Sequence, residues 1–351
     1  MTRSNKVPET MAWRGGTDGH LDLLDQTLLP SSEKILRIQD LDSLIEAIQS
    51  LRVRGAPAIG VAAGFGTLLA LREASDRQDL DARLRRLEEA RPTAVNLSWA
   101  IARIRQRITA LGPETPLKAL EAPILEEALA IHEEDRALCR SMGEHGASLI
   151  RPGWRILTHC NTGSLATGGE GTALAVIKAA HRQGKRIHVF ADETRPLLQG
   201  ARLTLYELAQ AGIPATLLQD SAAPGLILGG EIDAVFTGAD RIAGNGDTAN
   251  KVGTLPLALA AARAGIPFYI VAPTTTFDFS MPTGAEIPIE ERDPAEILDE
   301  LGPLRVPQGT EARNPAFDIT PGDLITGIVT EDGVLHPPYA SAIKLLDPVG
   351  R

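Results

Sequence analysis

Cys160 and Asp240 are the residues whose type and surroundings best suit proton transfer. Each follows a run of β-forming residues: Arg155-Ile-Leu-Thr-His159 precedes the cysteine, and Ala234-Val-Phe-Thr237 precedes Gly238-Ala239-Asp240. A lone cysteine is most often an inert buried thiol. Next to backbone N–H dipoles, however, its pKa falls and it can act as acid or base. A carboxyl after a strand either caps the next segment or projects into a crevice as a general acid or base. Two such residues at the ends of two strands of one sheet make a plausible acid–base pair.

Polar segments gather at matching places. Cys160-Asn161-Thr162-Gly163 leads into Thr167-Gly-Gly-Glu-Gly-Thr172 and then a helix. Such a Gly-rich helix start can hold an anion on free N–H groups, or can simply allow strand and helix to pack closely. It is not a Walker loop, because no Gly-Lys-Ser/Thr follows. The dinucleotide fingerprint is broken as well: Gly169-x-Gly171 is followed by Leu174 where glycine belongs, although Asp192 lies about 20 residues on, as a ribose-binding acid would. Further along come Asp192-Glu-Thr-Arg-Pro196, Gln199-Gly200 and Gly246-Asp-Thr-Ala-Asn-Lys251. Arg54, Arg91 and Lys251 sit beside Gly, Pro or Asn rather than on helical salt-bridge faces, so they become relevant if the crevice binds phosphate.

The seven histidines show no ligand spacing. His159 should point to the opposite sheet face from Cys160 and is expected to be a core or turn histidine. No metal site and no cofactor are expected. Cys139, near Leu138 and Met142, reads as helix packing.

The elements that must position these residues follow from the pattern. A chain of 351 residues suggests two domains, or one large α/β domain with an extension. Up to about residue 145 it is mainly helical. Apolar stripes run over Asp40–Leu51, an Ala/Gly-rich helix follows Arg54-Gly-Ala-Pro57, and further helices cover Leu80–Ala90, Ser98–Ala110 and Pro116–Ile150. From Gly153 onward, short β-rich runs alternate with helical ones, which predicts a parallel sheet with right-handed crossovers. Its strands are expected at 155–159, 186–191, 215–218, 234–237 and 268–271, with a late hairpin at 323–334 turned by Glu331-Asp-Gly333. The expected division is a helical domain over 1–145 and an α/β domain over 146–351.

Charge narrows the partners. Lys+Arg total 35 against 45 Asp+Glu, a net −10, so nucleic acid and anionic membrane are not expected as main partners. Two cysteines cannot build a disulfide framework, which fits a reducing cytoplasm. Met1–Gly19 is polar, without the apolar core of a secretory signal. The longest apolar candidate, Ile59–Leu71, is too short to cross a bilayer.

Five blocks, in order, resemble the methylthioribose-1-phosphate isomerase family. They are Arg54-Gly-Ala-Pro-Ala-Ile-Gly60, His159-Cys-Asn-Thr-Gly-Ser-Leu-Ala-Thr167, Glu193-Thr-Arg-Pro-Leu-Leu-Gln-Gly-Ala-Arg202, Thr237-Gly-Ala-Asp-Arg241 and Asn245-Gly-Asp-Thr-Ala-Asn-Lys-Val-Gly-Thr254. The resemblance runs from about Leu24 to Pro338. It implies a helical N-terminal domain, a Rossmann-like C-terminal domain and a homodimer in methionine salvage. By motif, Cys160 and Asp240 match the family's catalytic pair. Arg54, Gly55, Ala56, Arg91, Gln199, Asn250 and Lys251 match its substrate-binding positions, with Arg91 resting on the short match Arg91-Pro-Thr-Ala-Val-Asn96. The wider family includes ribose-1,5-bisphosphate isomerase and non-catalytic regulatory subunits of the exchange factor of translation initiation. The Leu24-Asp-Gln-Thr-Leu-Leu-Pro30 segment resembles the methylthio branch. A nucleotide-dependent dehydrogenase is disfavoured by the broken glycine pattern.

Overall fold

A computed structural model describes residues 9–91, 95–298, 306–307 and 309–346. The chain forms two compact units. One comprises the residues up to Arg140 together with Gly163–Gly171, and the other Ser141–Thr162 together with the residues from Thr172 onward.

The first unit opens with three short antiparallel strands in sequential order: β1 (Met11–Arg14), β2 (His20–Leu24) and β3 (Ile35–Ile38). Five helices follow: α1 (Leu41–Gln49), α2 (Ala56–Glu73), α3 (Arg77–Glu88), α4 (Val95–Ala110) and α5 (Leu117–Ala147), the last continuing past Arg140 into the second unit. Asp40 caps α1 by accepting from the Ser43 amide at 2.8 Å. Helix α2 is buried at every residue from Ala58 to Leu71, which explains why its sequence lacks a polar face. Its glycines are where neighbours come close. A Cβ on Gly60 would lie 2.9 Å from the Asn96 carbonyl of α4, and one on Gly66 would lie 2.6 Å from Leu44 of α1.

The second unit is built on a seven-stranded sheet. Its elements, in chain order, begin with β4 (Arg155–Thr158), α6 (Ala173–Arg182), β5 (His188–Asp192), α7 (Leu205–Gln210), β6 (Ala215–Leu218), α8 (Ala223–Leu228) and β7 (Ala234–Thr237). Then come β8 (Arg241–Ala243), β9 (Thr248–Lys251), α9 (Thr254–Ala264), β10 (Phe268–Val271) and β11 (Phe277–Asp278). The last are α10 (Ala295–Leu298), β12 (Phe317–Thr320), β13 (Gly327–Thr330), β14 (Gly333–Leu335) and α11 (Tyr339–Lys344). The sheet order is β14-β13-β10-β7-β4-β5-β6, parallel except for the closing β13–β14 hairpin. The chain runs outward from β4 through β5 to β6, then returns to the other side of β4 as β7. This is the doubly wound arrangement expected from the strand–helix alternation. The central strands β7 and β10 are buried at every position, as strands covered on both faces must be.

Two sheets were not anticipated: the small N-terminal one and a four-stranded one of order β11-β8-β9-β12. The second includes β9, which carries Asn250 and Lys251, two of the residues expected to bind substrate.

Candidate active site

The crevice of a doubly wound sheet opens where the strand order reverses, beyond the carboxyl ends of the strands. Here that point lies between β4 and β7, paired in parallel through Ile156↔Ala234 and Leu157↔Val235. Cys160 leaves the end of β4, and Asp240 leaves the end of β7.

Cys160 is buried and has φ 61°. Left-handed backbone costs a residue with a Cβ roughly 1–2 kcal/mol, so the surroundings must hold it. Its amide donates to Thr194 Oγ1 at 2.8 Å, and its carbonyl accepts from Thr204 Oγ1 at 2.6 Å. Thr194 is itself left-handed (φ 65°), with its amide donating to Asp220 Oδ1 at 2.7 Å. Thr204 ends a π-helical turn, Gly200–Thr204. Both backbone polar groups of the cysteine are thus fixed by hydroxyls from the β5–α7 connection.

Beneath it lies a buried ion pair. Lys178 Nζ of α6 donates to Glu207 Oε2 of α7 at 2.7 Å, and Asn161 Nδ2 donates to Glu207 Oε1 at 2.9 Å. The residue after Cys160 is thereby tied to the two helices flanking β5.

His159 is fully buried, as a core histidine should be. Nδ1 lies 2.9 Å from Asp192 Oδ2, and Nε2 donates to the Val252 carbonyl at 2.9 Å. Burial opposes a charged ring, but the Asp192 hydrogen bond and the Asp192 and Asp220 charges outweigh it, and the His159 pKa is raised. Donor atoms of His159, Asp192 and Asp220 lie within 4.8 Å of one another. Both ring nitrogens are bonded, and Asp220 accepts from the Thr194 and Arg195 amides at 2.7 Å each, while Asp192 Oδ1 has no hydrogen-bond partner among the described residues.

The Asp240 amide donates to the Ala249 carbonyl at 2.9 Å, joining the β7 exit to β9. On β9, buried Asn250 donates to Thr254 Oγ1 at 2.9 Å. Lys251 donates to the Ala316 carbonyl at 2.9 Å, its Nζ 4.9 Å above the Phe317 ring. Asp318 takes up the start of α9, accepting from the Gly253 amide at 2.7 Å and the Leu255 amide at 3.1 Å. Gln199, beyond β5, is buried, and its Oε1 has no hydrogen-bond partner among the described residues. A buried amide oxygen left this way is a ready acceptor for a ligand hydroxyl. The second unit therefore gathers Cys160, Gln199, Asp240, Asn250 and Lys251 at the ends of β4, β5 and β7 and on the adjoining β9.

Arg54, Gly55, Ala56 and Arg91 belong to the first unit. Gly55 has φ 92° and precedes α2, and a Cβ there would lie 2.6 Å from the Ala166 carbonyl. Of the short Arg91–Asn96 match, residues 92–94 lie outside the described ones. The Gly-rich loop also belongs to the first unit, and its amides are occupied internally. Gly168 N–H donates to Asp135 Oδ2 at 2.6 Å, and Gly169 N–H to Thr167 Oγ1 at 3.1 Å. In the second unit, the Thr172 and Leu174 amides both donate to the Thr162 carbonyl. Of the two readings of this loop, close packing prevails over anion binding. Burial pushes the Asp135 carboxyl up to about 6, against the pull of the Gly168 amide.

The family model described as the initiation factor 2 subunit family matches residues 52–337. The chain belongs to that family. Within it, relatives carry isomerase names. A methylthioribose-1-phosphate isomerase of Chloroflexus aurantiacus is 50% identical over 331 residues, 93% of this chain and 95% of the relative. A 5-deoxyribose 1-phosphate isomerase of Moorella thermoacetica is 50% identical over 339 residues, 95% of each chain. The crystal structure of 5-methylthioribose 1-phosphate isomerase from Pyrococcus horikoshii superimposes with a TM-score of 0.88 at 40% identity, covering 97% of this chain and 96% of that one. A structure named translation initiation factor eIF-2B, subunit delta, from A. fulgidus matches with a TM-score of 0.83, also at 40% identity, over 97% and 99% of the two chains. The initiation factor 2 subunit family thus contains both enzyme and initiation-factor names. Among the described residues, no helix is long and apolar enough to cross a membrane.

Proposed function

We propose that this protein is an aldose–ketose isomerase that converts 5-methylthioribose 1-phosphate to 5-methylthioribulose 1-phosphate in methionine salvage, acting as a cytoplasmic homodimer without metal or cofactor. The observation that carries the reading is the placement of Cys160 and Asp240 beyond neighbouring parallel strands at the switch point, in a chain half identical to named isomerases of 1-phosphorylated pentoses. A regulatory subunit has no need of such a pair.

The substrate's anomeric oxygen carries phosphate, so the ring cannot open by losing an anomeric hydroxyl proton. Asp240, protonated, gives its proton to the ring oxygen as the C1–O bond breaks. As a carboxylate it then takes the proton of the C2 hydroxyl, which becomes the ketone, and the acid is regenerated. The hydrogen on C2 reaches C1 by one of two routes. In the enediol route Cys160 removes it as a proton and returns it to C1. In the other route it migrates directly as hydride, and Cys160 shapes the ground over which it moves. Deuterium from solvent enters C1 only in the first. Gln199, Asn250 and Lys251 hold the sugar and its phosphate, with Arg54, Gly55, Ala56 and Arg91 as the remaining ligands.

The decisive experiment is an isomerisation assay with no added cofactor, comparing 5-methylthioribose 1-phosphate, 5-deoxyribose 1-phosphate and ribose 1,5-bisphosphate. Preference for the methylthio sugar supports the assignment. Preference for the 5-deoxy sugar keeps the chemistry and moves the substrate, an outcome that the Moorella relative makes specific. No turnover of any of the three would remove the isomerase reading.

A further inference from the structure

We propose that His159 and Asp192 form a positioning pair that staples the Asn250–Lys251 segment to the strand end carrying Cys160. The functional half of this inference rests on the assignment of Asn250 and Lys251 to substrate binding.

His159 follows β4 and Asp192 closes β5, neighbours paired through Thr158↔Ala191. The imidazole bridges Asp192 on one side and the Val252 carbonyl on the other, at 2.9 Å each. Val252 is the residue after Lys251. A carbonyl only accepts, so Nε2 must carry a hydrogen. Whether the proton between Nδ1 and Asp192 sits on the ring or on the acid, neither ring nitrogen keeps an open lone pair. His159 is therefore not the base for its neighbour Cys160, despite the adjacent Cys and His in sequence. Its work is done through geometry.

The receiving side is built for this contact. Gly253 has φ 107°, and a Cβ there would lie 2.8 Å from His159 Cε1, so both the backbone and the space demand glycine. From the other side Asp318 holds the Gly253 and Leu255 amides. The groups facing the ring from β5, from the residues after β6 and from β12 are the carboxylates of Asp192, Asp220 and Asp318. All three favour a ring that keeps both hydrogens. The segment bearing Asn250 and Lys251 is thus gripped between β12 and the end of β4, and releasing the His159 side would leave two substrate ligands on a looser support.

The experiment compares His159→Leu, which removes both hydrogen bonds, with Asp192→Asn, whose amide can still meet Nδ1. Hydrogen exchange is followed at the Val252, Gly253 and Leu255 amides, together with steady-state kinetics on the sugar phosphate. In His159→Leu, exchange at these amides should rise about tenfold or more through local opening. KM should rise by about the same factor while kcat changes less, the mark of lost ground-state binding. Asp192→Asn should stay near the parent in both. Should His159→Leu fail to fold, His159→Gln, which can reach one partner but not both, is expected to shift both readouts the same way. A folded His159 variant with parent-like exchange overturns the staple. Faster exchange with unchanged KM overturns its role in binding, and an Asp192→Asn protein as impaired as His159→Leu overturns the geometric account. If the parent turns over no sugar phosphate, the functional reading fails, and the exchange data still decide the staple.

Discussion

Cys160 and Thr194 are both left-handed, and the amide of the first donates to the hydroxyl of the second at 2.8 Å. Each strained residue is thereby stabilised by the other, and two loops from neighbouring strands are locked in register. Strain of this kind persists only where its surroundings hold it firmly, and it gathers at functional sites. Here it fixes the direction in which the Cys160 side chain leaves the sheet.

Cys160→Ser and Asp240→Asn should each lose turnover by a factor of about 10²–10⁴, the usual effect of removing one acid or base. Thermal midpoints should stay close to the parent's. Stopped assays with circular dichroism on the same samples check both halves, and near-normal rates in both folded variants would end the acid–base assignment.

Arg54→Ala should raise KM about 10- to 150-fold, the loss of one charge-assisted contact of about 1.5–3 kcal/mol. A dianion entering a protein of net charge −10 needs such local cations. Inorganic phosphate should inhibit the parent competitively and the variant much less. Equal inhibition of the two, with a lower melting temperature in the variant, would show Arg54 to be structural.

Asp135 links pH to stability. Its carboxyl is pushed up to about 6 from an ordinary 3.8, so the folded state binds this proton more tightly than the unfolded chain does. The contribution is fully present below about pH 4 and is lost as pH rises through about 6, amounting to about 3 kcal/mol across the window. Asp135→Asn should therefore gain on the parent in urea midpoint between pH 4 and pH 7. A constant difference across that range would contradict the shift.

Lys178→Met should destabilise by about 3–5 kcal/mol, because it leaves the Glu207 charge buried without its cation. Lys178→Met with Glu207→Gln should recover much of the loss. Chemical denaturation of the two variants provides the measurement, and equal instability would place the effect in packing rather than charge.

Much of the α/β framework was legible because its signals are local. Strands such as Phe268–Val271 are short apolar runs, and helix α9 is bounded by Gly253 and Gly265. The small sheet was not legible. Thr248–Lys251 has no apolar alternation, and its partner Phe317–Thr320 lies about 70 residues away, so the pairing Asp318↔Asn250 leaves no local trace. Cys160 and Asp240 stood out because the ends of parallel strands are where chemistry collects. The supporting residues did not. Thr194, Thr204, Glu207 and Asp318 act through hydrogen bonds to backbone, amide or ammonium groups, and residue type alone does not announce such bonds. The Gly-rich loop invited an anion reading that its real partner, the Asp135 carboxylate, forecloses.

The first unit takes up the chain twice, once for its helices and again for Gly163–Gly171. The boundary between the units is therefore not a point at which the chain can be severed. A fragment beginning after Arg140 would carry this nine-residue visitor without Asp135 and His132, which bond the Gly168 amide and carbonyl. The helical half alone would lack the segment that covers those side chains. Exchange of halves between relatives would have to move the visitor with its hosts, and a single crossover that does so, after Gly171, also carries off Ser141–Thr162 of the second unit. Inheritance of this architecture as a whole follows from the threading itself.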